Sequence, residues 1–168
     1  VSADALEADP GLLETVRDAG VTRLWVTGFL YGHWSYAPKR IQQWRERILK
    51  MGMDAQACNV PLGHPGDSLG AMDGPVPLSP PEHWKMGCRP DGTRYTGTSL
   101  HPPATEENVQ ALRRLREIGV QQVFLDDDFR LAQGPGVIGG CFCEDHRKEF
   151  LSLYGYAERQ WSDLLDAV

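Results

Sequence analysis

The sequence has no long hydrophobic run, no excess of positive charge and few cysteines, and each shortage removes a class of protein. No stretch approaches the ~18 consecutive apolar residues of a membrane-spanning helix, so none is expected. The opening Val1-Ser2-Ala3-Asp4 carries neither a basic nor an apolar signal region. It also lacks an initiator Met, which fits removal of upstream sequence. Lys and Arg number 17 against 23 Asp and Glu, a net charge of −6, and no basic stripe is visible. Binding to nucleic acid is therefore not expected, and a neutral, hydroxyl-rich substrate suits the surface better than a polyanion. The 4 cysteines are too few to build a disulfide scaffold of 168 residues. Cys58 and Cys88 stand alone, whereas Cys141 and Cys143 are one residue apart, a pattern of metal chemistry. Reduced cysteines of that type favour the cytoplasm.

What is present is an ordinary globular composition, 41% hydrophobic and 24% charged, in a length that suits one domain. One pattern recurs three times. Asp9-Pro10 opens a helix with the apolar stripe Leu12, Leu13 and Val16, Gly20 ends it, and a strand over 21–30 follows. A helix over 38–51 puts Ile41, Trp44, Ile48 and Leu49 on one face, stops at Gly52, and leads into a strand over 53–61. Thr105 caps a helix carrying Val109, Leu112 and Leu115, Gly119 stops it, and a strand over 120–126 follows. Two more helices are expected, one from near Cys143 to near Gly155 and one from Ala157 through Trp161, Leu164 and Leu165.

Helix, glycine, strand, repeated, predicts an α/β fold with a parallel sheet and right-handed crossovers. An open doubly wound sheet and part of a (β/α)8 barrel both fit. A complete barrel needs ~250 residues and eight strands, so residues 1–168 read as a partial barrel domain holding strands two to four. Residues 62–103, rich in Gly and Pro and without helical period, read as a long strand-end loop inside it. Such a segment leaves apolar edges that need the remainder of the barrel or an oligomeric partner.

Two groups of residues carry chemistry. Cys141-Phe142-Cys143-Glu144-Asp145-His146 offers three ligands in C-x-C-x-x-H spacing after a glycine-rich turn, and Cys88 in the long loop can supply a fourth. Zinc takes four such ligands in a tetrahedron, and three Cys with one His is a common structural set. Cys58, inside a strand, reads as a small buried hydrophobe. The second group is Asp126-Asp127-Asp128, followed by Phe129-Arg130, at the end of the third strand. Carboxylates at the C-terminal end of a barrel strand serve as general acid/base or hold a hard cation. Arg130 can limit their repulsion. Around the other strand ends collect Tyr31, His33, Trp34, Asn59, His64 and Asp67, with His101 closing the long loop. Aromatic rings of this kind stack on sugar rings while Asn, His and Asp bond the hydroxyls.

The order of these motifs resembles the family-42 β-galactosidases and related (β/α)8 glycoside hydrolases. The residues that carry it are Cys88 with Asp91-Gly92-Thr93-Arg94, the strand ending in acids, the Cys-Phe-Cys-x-x-His stretch and the helix ending in Tyr154-Gly155. The resemblance spans about 88–155, and the cysteine pattern is its most specific part. It implies that Asp128 stands where the family has its acid/base Glu, and Asp127 where it has a sugar-contacting Asn. It implies zinc on Cys88, Cys141, Cys143 and His146, the last replacing a Cys. The family's nucleophile belongs to the seventh strand, outside these residues.

The expected function is thus that of a glycoside hydrolase-like catalytic barrel acting on carbohydrate. Asp128 is its general acid/base beside Asp126 and Asp127, and the zinc is structural. Trp34, His33, Asn59, His64, His101 and Arg130 are the expected substrate contacts. Two alternatives stand beside it. In one, a metal-dependent hydrolase holds a catalytic cation with the aspartates and His64 or His101, although no His-x-His marks a strand end. In the other, a non-catalytic barrel binds carbohydrate.

Overall fold

The computed structural model describes residues 1–61, 80–98, 101–126 and 141–167. Ser2 starts the first helix, its Oγ accepting the Ala5 N–H at 3.1 Å, and α1 (Ala3–Ala8) buries Ala3 and Leu6 one turn apart. This short helix has too few residues to show a period and was not expected. Asp9 Oδ1 accepts the Gly11 N–H at 2.9 Å and turns the chain into α2 (Leu12–Asp18). The chain then runs through β1 (Arg23–Leu30), β2 (His33–Trp34), α3 (Pro38–Lys50) and β3 (Asp54–Val60). Beyond these come β4 (Met86–Cys88), β5 (Arg94–Thr98), α4 (Ala104–Glu117), β6 (Val123–Leu125), α5 (Glu144–Tyr154) and α6 (Glu158–Ala167).

The main sheet has the order β2-β1-β3-β6. Strands β1, β3 and β6 are parallel neighbours in chain order, as the repeated helix-strand pattern predicts. The sheet is nevertheless mixed, because β2 folds back antiparallel on β1, pairing Phe29 with Trp34 and Leu30 with His33. The cause is local: Tyr31 (φ 54°) and Gly32 (φ 83°) are both left-handed, the requirement of a two-residue hairpin turn. A side chain at Gly32 would also strike Pro81 and Trp84, so that turn is pressed against the segment before β4.

One face of the sheet carries the core. Val26 and Ala55 pack with Leu6 and Leu13 of the first two helices and with Ile41, Trp44 and Ile48 of α3. Ala57, which pairs with Val26 across the strands, meets Leu115 of α4 and Val120. Paired residues of a parallel ladder share a face, so α1 to α4 all lie on the same side. Ile48 and Leu115 are fully buried, each stabilising the fold by about 1.5–3 kcal/mol relative to an exposed side chain. The expected stripe of α4 is corrected by the structure. Ala104, Ala111 and Leu115 face inward, while Val109 and Leu112 remain more than 40% exposed. Small Ala side chains let the helix approach the sheet closely enough for Leu115 to lie over Gly28. Leu49 of α3 is likewise exposed.

The opposite face presents Trp25, Thr27, Cys58, Phe124 and Asp126, which line an open pocket with Val1. Val1 itself lies along the outer edge of β1. Its ammonium donates to Trp25 O at 2.6 Å, and its carbonyl accepts the Thr27 N–H at 3.1 Å, the pattern of a parallel pair. Within the stretch expected to be an unbroken loop, β4 and β5 form an antiparallel hairpin closed by Asp91-Gly92, where Gly92 takes φ 82°. Among the described residues, no helix is long and apolar enough to cross a membrane.

Candidate metal centre and strand-end site

Three segments meet at the candidate metal centre. The first is the β4–β5 hairpin, whose Cys88 lies directly beside the chain leading into α5. The Phe142 N–H donates to Cys88 O at 2.9 Å, and the Cys88 N–H donates to Cys141 Sγ at 3.4 Å. The second is α5, which Cys143 caps and in whose first turn His146 falls, so the C-x-x-H spacing brings both inward together. Cys143 Sγ and His146 Nδ1 are 3.3 Å apart. The third is the turn into α4, fixed by the Ala104 N–H donating to His101 O at 3.0 Å. It places the His101 ring 4.0 Å from that of His146, centroid to centroid.

His101, Cys143 and His146 form a group that could hold a metal ion, their ligand atoms all lying within 4.8 Å of one another. The donor chemistry fits, since imidazole and thiolate are the ligands zinc prefers. So does an orphan: His101 Nε2 is buried and has no hydrogen-bond partner. Burial pushes the Cys141 thiol up, although N–H groups of Cys88 and Cys143 point at it and act the other way. Burial also lowers His146, and the neighbouring His101 lowers it further. The His146 ring therefore favours the neutral state, the one that can bind a metal. Lys85 reaches across from the hairpin to pair with Asp145 of α5, and that hydrogen bond holds the Asp145 carboxyl below its ordinary range.

The strand-end residues are less uniform. The Asp126 N–H donates to Asn59 O at 3.0 Å, extending the β3–β6 ladder to the end of the expected strand. Asp126 lies on the bare face of the sheet, and its charge, after burial, is the next cause that raises the Cys58 thiol. Asp127, Asp128, Arg130 and His64 lie outside the described residues. Trp34 and Asn59 are where the sequence puts them, but both are occupied. Trp34 packs edge-on against Phe29 at 5.4 Å and touches the helix-side core. Asn59 is 2% exposed, and its side-chain carbonyl accepts the Phe29 N–H at 2.9 Å. It bridges β3 to β1 where the parallel register shifts, between Thr27 and Leu30. Asn59 therefore serves the strand pairing. His33, half-buried, starts β2.

The largest revision concerns His101. Expected among the sugar contacts, or beside the aspartates in the metal-hydrolase alternative, it stands with Cys143 and His146. No local signal announces this, because the turn before α4 and the start of α5 are adjacent only in the folded chain. The sequence reading also missed Trp84 and Glu107. The Trp84 indole N–H donates to Glu107 at 2.9 Å, and His83 meets the same carboxylate at 2.7 Å. Trp84, 3% exposed and 6.4 Å from Phe29, pins the segment before β4 onto the end of β1. No family model, curated protein or solved structure matches the chain.

Proposed function

We propose that this chain is part of a (β/α)8 barrel hydrolase acting on carbohydrate, with a structural zinc at the His and Cys cluster. The observation that carries the reading is the one-sidedness of the sheet. Among the described residues, strands β1, β3 and β6 follow chain order with α1 to α4 on one face, and Trp25, Thr27, Cys58 and Phe124 on the other carry no helix. A doubly wound sheet reverses its strand order and carries helices on both faces. A barrel keeps its helices outside and fills the inner face with side chains from its other strands. The parallel-type pairing of Val1 on β1, and the exposed Phe124 and Leu125 of β6 with Leu112 near Val123, suit a sheet that continues past both edges.

In this reading Asp126 opens the row of acids at the strand end where barrel enzymes carry their chemistry, and Asp128 is the general acid/base. His33, His64 and Arg130 contact substrate. Trp34 and Asn59 hold the strand ends in place. The test is hydrolysis of a panel of aryl and alkyl glycosides by the protein at its full natural length, wild type and Asp128→Asn. The substitution keeps the shape and removes the proton, so kcat falls ~10²–10⁴-fold on substrates with poor leaving groups and less on those with good ones. Absence of hydrolysis across the panel, or full activity of Asp128→Asn, overturns the assignment.

A further inference from the structure

The sequence and its family resemblance point to Cys88, Cys141, Cys143 and His146 as the zinc ligands, and the fold rearranges that set. We infer that the metal is held by His101, Cys141, Cys143 and His146, and that Cys88 serves the site through its backbone N–H and not through its sulfur. The inference rests on the zinc reading above and refines it.

The case for His101 is geometric. Its Nε2 is buried without a hydrogen-bond partner, its ring lies 4.0 Å from that of His146, and its ligand atom is within 4.8 Å of those of Cys143 and His146. Two imidazoles packed this closely can converge on one cation, each offering a ring nitrogen. Cys141 lies outside that three-residue group, two residues before Cys143, with its Sγ accepting the Cys88 N–H at 3.4 Å, and takes the fourth position.

The case against the Cys88 sulfur is where it lies. Cys88 Sγ is 3.9 Å from Gly92 O, inside its own hairpin turn, whereas the Cys88 N–H points at Cys141 Sγ. An N–H aimed at sulfur stabilises a thiolate, so this residue can support the ligand from behind without binding the metal. Charge agrees. Two thiolates and two neutral imidazoles neutralise a divalent cation, and the nearby Asp145 carboxylate is already paired with Lys85. The set ties the turn into α4 to the start of α5, and the Cys88 N–H joins the hairpin to it.

Cobalt(II) replaces zinc and makes the ligands visible, because its visible bands report tetrahedral geometry and its sulfur-to-metal charge-transfer band grows with the number of thiolates. We expect the wild-type chain to bind one cobalt(II) tetrahedrally and to release it to zinc. Cys88→Ser should keep the charge-transfer intensity and the affinity, since its N–H is unchanged. Cys143→Ser should lower the intensity by about half, one thiolate of two. His101→Ala, measured beside the near-isosteric His101→Asn, should weaken binding at least ~10-fold with the charge-transfer band retained at saturation. Far-UV circular dichroism confirms that each variant is folded. If Cys88→Ser loses intensity and affinity while both His101 variants bind like wild type, the ligand set proposed here is wrong and the zinc site survives. If the wild-type chain binds neither cobalt nor zinc, the zinc reading falls and this inference with it.

Discussion

Helix α3 buries Ile41, Trp44 and Ile48 to 4% exposure or less, whereas α5 and α6 contain no buried residue among those described. The contrast does not come from the helices themselves, since α3 and α6 are equally amphipathic. It comes from what lies opposite. Helix α3 faces a parallel sheet whose small Ala55 lets it approach. The α5–α6 pair faces mainly its own rings: Trp161 meets Phe142 at 5.9 Å and Phe150 at 5.8 Å, and Tyr154 stacks on Tyr156 at 5.7 Å. Its other ties are polar, with Arg147 bridging Glu144 to Glu158 and Lys85 holding Asp145. Amphipathicity states that a helix has a face to cover, and only its neighbours decide whether it is covered.

The largest expected effect tests this difference directly. Ile48→Ala removes a fully buried side chain and should cost about 2–5 kcal/mol in urea unfolding, whereas Leu153→Ala on α5 should stay within about 0.5 kcal/mol. Leu153 is 71% exposed, so a cost near that of Ile48→Ala would mean that α5 is covered in solution by something the fold does not supply.

A middle-sized effect concerns the metal. If zinc holds α5 where packing does not, chelation removes about 2.7 kcal/mol of local stability at zinc a hundredfold above its Kd. Hydrogen exchange should then accelerate in α5 and around Cys88 while α3 and β3 keep their protection. Equal acceleration in both regions would show that they unfold as one unit and would erase the contrast.

The smallest effect is electrostatic and belongs to the well-packed region. Hydrogen bonds from Arg40 and then Trp44 hold the Glu7 carboxyl below its ordinary value of 4.5. Burial acts to raise Asp54, but hydrogen bonds from Gln56 and Arg23 outweigh it and hold it below 3.8. A carboxylate with a depressed folded pKa stabilises the fold fully above its unfolded value, and that contribution fades as pH falls through the folded one. Urea midpoints should therefore hold steady down to about pH 4.5 and decline below it. Arg40→Gln should flatten the decline, and added salt should do so partly. These pairs are solvent-exposed, so the slope is shallow. An unchanged acid limb in Arg40→Gln would remove the Glu7 pair from the account.

Much of the fold was legible because its signals are local. Pro38 and Gly52 bracket α3, Gly119 turns α4 toward β6, and Gly155 ends α5 in the left-handed conformation expected of it. The apolar runs Leu24-Trp25-Val26 and Val123-Phe124-Leu125 announced parallel strands, and the strands pair in chain order, although Phe124 and Leu125 stay exposed. The hairpin β4–β5 escaped because a three-residue strand shows no period, although Asp91-Gly92 is a recognised hairpin turn. Asn59 was misjudged for a different reason. A polar residue at a strand end looks like a ligand, and only the partner strand reveals that its side chain is occupied by the Phe29 N–H.

By itself, the order of residues determined the helices, the strands and the direction in which they alternate, since propensity, capping and hydrophobic period act over a few residues. It also determined that Cys143 and His146 share the first turn of one helix. The tertiary structure alone decided that His101 joins them, that Cys88 turns its backbone to Cys141, and that among the described residues α1 to α4 share one face of the sheet while the other stays bare. Those outcomes depend on which distant segments pack together, and no window of sequence contains both partners of such a contact.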